Sequence, residues 1–142
     1  MPWLIDGSNV LGAMRVDRHS EDAKRGLIRL LGAFARAKQT RVTCIFDGPE
    51  PPSFARHLGS VTTVFSAPRS ADDVIVERAS SGRGWNVVTS DRALASRVER
   101  RQVRVVQPAT FIREMELAAS GSEAGEDDWG AYFSDPKNRI DF

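Results

Sequence analysis

Short apolar runs alternate with segments of helical period along this chain of 142 residues. Residues 3–6 (WLID), 41–46 (RVTCIF), 61–66 (VTTVFS), 85–89 (WNVVT) and 103–106 (VRVV) read as strands, being short, apolar and mostly β-branched. Between the first two, Leu27, Leu30, Leu31 and Phe34 recur at the spacing of one helix face. Ser20 caps that helix, and Glu21 and Asp22 suit the positive end of its dipole. GPEPP at 48–52 is a loop, because proline cannot donate to a ladder. A second helix runs from Ser70 to about Ser80, opened by S-x-x-D, a capping box with Asp for Glu, and closed by SGRG at 81–84. A third runs from Ser90 to about Arg101, and a last one from Thr110 to about Ala118. Strands and helices in strict alternation predict an α/β three-layer sandwich: a parallel sheet of five strands covered on both faces.

Composition divides the chain in two. Residues 1–117 read as one domain, and 118–142 as an acidic tail that carries Trp129, Tyr132 and Phe133. Up to residue 115 the net charge is +6 and beyond it −5, which leaves +1 overall. The cations are 17 Arg against 3 Lys, and Arg suits phosphate through its bidentate fork. The single Cys44 excludes an internal disulfide and reads as a small buried hydrophobe in a cytoplasmic protein. With His19 and His57 far apart and no second cysteine, a Cys/His zinc site is excluded. No apolar run is long enough for a membrane span, and no secretory signal is visible.

The acids fall in an informative way. Asp6 ends the first strand, Asp47 ends the second, Asp72 and Asp73 open the helix after the third, and Asp91 follows the fourth. In a parallel sheet these points share one edge, the carboxyl ends of the strands, where open α/β sheets place their sites. Each acid also has a plainer role. Asp6 and Asp47 precede Gly as turn residues do, Asp72 and Asp73 sit where a helix favours acids, and Asp91 fits a first turn capped by Ser90. Their joint placement is the stronger signal. Two carboxylates about 4 Å apart repel by about 4 kcal/mol at an effective dielectric of 20. A hard divalent cation, Mg²⁺ or Mn²⁺, removes that conflict, and such sites chiefly handle phosphate esters.

IDGSNVLG, IFDG, SADDVI and VVTSDRALA, in this order and spacing, resemble the NYN domains of the PIN-like nuclease superfamily, in particular the YacP-like bacterial branch. The resemblance covers roughly residues 1–117 and implies a sheet of order 3-2-1-4-5 and a metal-dependent ribonuclease, endonucleolytic on single-stranded RNA. It implies Asp6, Asp47, Asp72 and Asp91 as metal-binding acids, with Asp73 able to stand in for Asp72. Asn9 would orient a ligand or carboxylate, with Ser8 and Ser90 in support. Where the branch carries an Arg-rich segment with an Arg-Glu-Leu pattern, this chain has ASRVERRQVRVVQP. The branch's ribosome-linked role is therefore not carried over, and the ribosome or another protein stays a secondary candidate partner.

Arg15, Arg56, Arg69 and Arg92 lie close to the same edge as candidate phosphate contacts, and Phe54 in the PPSF loop as a base-stacking residue. Other Asp-based α/β enzymes fit less well. A dehalogenase-type phosphatase needs Asp where Ser8 stands, and both it and a receiver domain need a strand-end Lys that is missing here. GSNVLG is not the Gly-rich turn of a dinucleotide fold. The alternative to an enzyme is a non-catalytic NYN-like module that binds RNA or a protein.

Overall fold

The computed structural model describes residues 1–81, 84–99 and 103–120. Its elements in chain order are β1 (Trp3–Asp6), α1 (Gly7–Ala13), α2 (Glu21–Lys38), β2 (Val42–Phe46), β3 (His57–Leu58), β4 (Val61–Phe65), α3 (Ala71–Ser80), β5 (Asn86–Val88), α4 (Arg92–Val98), β6 (Arg104–Val106) and α5 (Pro108–Ser120). The expected tail lies outside the described residues from 121 onward, with Trp129, Tyr132 and Phe133 in it.

One sheet of order β3-β4-β2-β1-β5-β6 forms the middle layer. β1 runs parallel to both β2 and β5 and occupies the centre. The sheet is mixed and six-stranded, which corrects the wholly parallel, five-stranded expectation. The added strand is β3, antiparallel to β4 and joined to it through Gly59-Ser60, with Gly59 at φ 58. A two-residue Gly-Ser loop is a hairpin signal that the sequence carries.

Both faces of the sheet are buried, so its strands are apolar on alternate sides. Trp3, Ile5, Cys44, Phe46, Val88 and Val106 face α1, α2 and α5. Leu4, Ile45 and Val87 face α3 and α4. The first layer is anchored by Trp3, Phe34 and Phe111, whose ring centroids lie 5.0–5.2 Å apart. Ser20 and Ser70 cap α2 and α3 as expected, accepting from Ala23 N and Asp73 N. α4 starts later than predicted: its cap is Asp91, whose side chain accepts from Leu94 N.

Helix α1 was not expected. Gly7-Ser8-Asn9 are weak helix formers and read as a turn. The helix forms because Asp6 caps it, accepting from Asn9 N, and because Val10 and Leu11 are fully buried. Gly7 is required by contact: a Cβ there would meet the Phe46 ring at 2.5 Å and Cys44 Sγ at 2.9 Å. Gly12, in the same helix, has nothing within 4 Å of a built Cβ. Gly7→Ala should therefore cost about 1–3 kcal/mol by overpacking. Gly12→Ala should add roughly 0.5–1 kcal/mol by helix propensity. Urea denaturation of both variants checks the contrast, and equal shifts would refute it.

Candidate functional site

β1 carries three buried apolar residues and then delivers Asp6, only 3% exposed, to its carboxyl end. The carboxylate is held from two sides. Asn9 Nδ2 donates to its Oδ2 at 2.9 Å, and Thr89 Oγ1 donates to the same oxygen at 3.1 Å. Oδ1 accepts the long cap bond from Asn9 N. Asn9 also ties the start of α1 to the segment between β5 and α4: its Oδ1 accepts from the Ser90 N–H at 3.1 Å and from the Ser90 hydroxyl. Thr89 Oγ1 in turn accepts from Asp91 N at 3.1 Å. Asp6 and Asp91, 85 positions apart in sequence, are thus linked through one threonine.

Burial raises the Asp6 carboxyl from 3.8 to about 6, against the hydrogen bonds of Thr89 and Asn9; Asp72 and Asp91 raise it further by like charge. Asp72 is likewise raised, by burial first and then by Asp91, with Asp47 and Asp73 adding and Arg97 opposing. Three acids therefore sense one another at one edge: Asp6, Asp72 and Asp91. Asp47 stands further out. Its Oδ1 accepts from Ser66 Oγ and from Ala71 N, both at 3.1 Å, so it braces the start of α3 and couples to the group through Asp72. Asp73 turns away to Arg97, with Oδ1 3.2 Å from Nη2. Ser8 is half-buried in α1.

The rim differs from expectation at several positions. Phe54 is buried, not offered to a base: it packs edge-on against Phe46 and Phe65, with the Arg25 guanidinium 4.6 Å above its ring. The proline-rich loop folds inward because Phe54 covers the ends of β2 and β4. Arg56 is held by both oxygens of Glu50, and Arg69 by Glu77, so each is matched by an acid. Arg15, at φ 60 after α1, and Arg92, in the first turn of α4, are exposed. Two residues were missed. Thr89 looked like an ordinary strand residue, although its place two before Asp91 in VVTSD was the available signal. Lys24 lies 5.7 Å from the ring centroids of both Phe46 and Phe65, and its place one turn into a capped helix carried no signal.

The donors at the edge are hard carboxylate oxygens, which suit Mg²⁺ or Mn²⁺ in chemistry. Among the described residues no three acids, His or Cys close into a ready-made cage. The fit therefore rests on donor type and on the mutual repulsion of Asp6, Asp72 and Asp91.

Residues 3–130 match the family model of the YacP-like NYN domain. The chain belongs to the YacP-like NYN domain family. Among solved structures it is similar to Rae1 (YacP) from Bacillus subtilis, with a TM-score of 0.70 and 20% identity over 85% of this chain and 76% of that one. A point mutant of the same protein gives a TM-score of 0.70 and 21% identity over 85% and 77%. No curated protein matches by sequence. The α/β architecture is thus that of YacP, and membership in the family points to nuclease-like, RNA-related chemistry. Among the described residues no helix is long and apolar enough to cross a membrane.

A carboxyl raised from 3.8 to about 6 stabilises the fold below its unfolded value and loses that contribution as pH rises through about 6. Ionised at pH 7, Asp6 costs about 3 kcal/mol relative to acid conditions. The stability of Asp6→Asn relative to wild type should therefore grow between pH 4 and 7 by up to that amount. Urea titrations across this range check it, and a difference independent of pH would contradict the assignment.

Proposed function

We propose that this chain is a metal-dependent ribonuclease that hydrolyses phosphodiester bonds of single-stranded RNA, endonucleolytically. The observation that carries the reading is a carboxylate almost without solvent access, Asp6, whose ionisation is opposed by burial and by two neighbouring acids. Among the described residues its hydrogen-bond partners are the neutral Asn9 and Thr89, with no cationic side chain bonded to it. A fold keeps such a group charged at neutral pH most readily when a dissociable cation joins it.

Asp6, Asp72 and Asp91 would hold Mg²⁺ or Mn²⁺, with Asp47 completing the set. When bound, the cation supplies Lewis-acid neutralisation of the phosphate and of the leaving oxygen. The protein's own contribution is orientation. Thr89 and Asn9 fix Asp6, and Thr89 also fixes the backbone of Asp91. Asn9 holds the Ser90 amide and hydroxyl and so joins the start of α1 to the segment between β5 and α4. Hydrolysis adds water at phosphorus and breaks one P–O ester bond, leaving a hydroxyl on one fragment and a phosphate monoester on the other.

Cleavage of a labelled single-stranded RNA with Mn²⁺ tests the reading. Wild type should cleave, chelator should abolish cleavage, and Asp6→Asn and Asp91→Asn should lose about a hundredfold or more, because the Lewis acid they would hold is worth several kcal/mol. Mn²⁺ at pH 7 should also raise the Tm of wild type and not that of Asp6→Asn. Equal activity in all three proteins would mean a contaminating nuclease. RNA binding without cleavage would instead favour the non-catalytic module.

A further inference from the structure

Arg97 sits near the end of α4, the helix that Asp91 caps, and reaches back to the first turn of α3, where its Nη2 meets Asp73 Oδ1 at 3.2 Å. Both side chains are half exposed, 50% and 51%, so the pair stands at the open side of the acid edge rather than within the core. Asp72 adjoins Asp73 in the first turn of α3, so the Arg97 guanidinium lies on the side of that acid and opposes the repulsion on it from Asp91, Asp47 and Asp73. Arg69 reaches the same turn, but it is tied to Glu77 and to the carbonyl of Asp73. Arg56 is gripped by Glu50 through two bonds. Arg97 therefore combines nearness to the acids proposed to hold the cation with, among the described residues, one solvent-accessible, monodentate partner. An exposed pair of this kind is weak and exchanges readily. A guanidinium that leaves one carboxylate oxygen for a phosphate gains a bidentate acceptor.

We propose that Arg97 binds a backbone phosphate of the RNA beside the bond to be cut, and that Asp73 competes with that phosphate for it. The proposal rests on the ribonuclease reading and extends it to a residue outside the acid set. It gives Asp73 a role opposite to that of Asp72: Asp73 restrains RNA binding, whereas Asp72 serves the cation. The two members of one ion pair then have effects of opposite sign, and the gain from removing Asp73 requires Arg97 to be present, which two independent surface charges would not show.

The experiment is steady-state cleavage of single-stranded oligouridylate with Mn²⁺, alongside fluorescence anisotropy of the same RNA, for wild type, Asp73→Asn, Arg97→Ala, Arg97→Lys and the double variant. Asp73→Asn should lower KM about threefold or more with kcat little changed. Arg97→Ala should raise KM about tenfold and reduce the slope of log affinity against log salt by about one. Arg97→Lys should recover part of the affinity, and the double variant should behave as Arg97→Ala. If wild type cleaves but both single variants shift KM in the same direction, or neither does, Arg97 is only a structural partner of Asp73 and the inference fails alone. If wild type neither binds nor cleaves RNA, the ribonuclease reading fails and takes this inference with it.

Discussion

A negative charge at the end of the central strand sets the terms for the rest of this molecule. β1 is flanked by β2 and β5 and covered on both faces, and its last residue, Asp6, is only 3% exposed. Placing Asp there runs against the ordinary preference of a buried position. Among the described residues the donors that answer it are neutral, Asn9 and Thr89, not a lysine or arginine. Neutral donors lower the cost without cancelling the charge. An arginine would have satisfied the carboxylate permanently and closed the position to anything else. The site is thus arranged to keep its charge only partly compensated.

Topology makes this arrangement available from a short chain. After β1 the chain builds outward through β2 to β4 and β3, then returns to place β5 on the other side of β1. At such a reversal the loops that follow the two adjacent strands leave in opposite directions and open a crevice between them. The Asn9–Ser90 bonds span that crevice across 81 positions of sequence. Because Asn9 also bonds Asp6, the same side chain that aligns the loops also aligns the buried acid. Stability of the crevice and orientation of the carboxylate are therefore not separable properties here.

Much of this was legible in the sequence, and what was not has physical reasons. The strands were readable because burial on both faces leaves an apolar run, and the acids were readable because a parallel sheet collects strand ends at one edge. Helix α1 was not readable: Gly7, Ser8 and Asn9 oppose it locally, and only the packing of Val10 and Leu11 decides it. Phe54 misled because a loop rich in proline looks exposed, while its ring caps two strand ends contributed by distant segments. Ser90 and Asp91 exchanged roles by one position: either side chain can cap, and the choice falls to Asp91 because Ser90 is drawn to Asn9. Thr89 was hidden by its own suitability for a strand, since β-branching explains it without any appeal to its hydroxyl.

Charge distribution carries the argument one step further. The body bears an excess of arginine, yet several of these arginines are matched by acids: Arg25 by Glu21, Arg56 by Glu50, Arg69 by Glu77 and Arg97 by Asp73. Residues 1–115 still carry a net +6, a charge that favours the approach of a polyanion to this part of the chain whatever the local pairing. At the acid edge the field reverses, and a phosphate approaching Asp6, Asp72 and Asp91 meets repulsion. On the ribonuclease reading, a cation that neutralises the edge also removes the barrier to the phosphate, and a bound phosphate strengthens the hold on the cation. Linkage requires the two effects to be equal. Affinity for the cation measured without RNA would then understate the affinity at work during turnover.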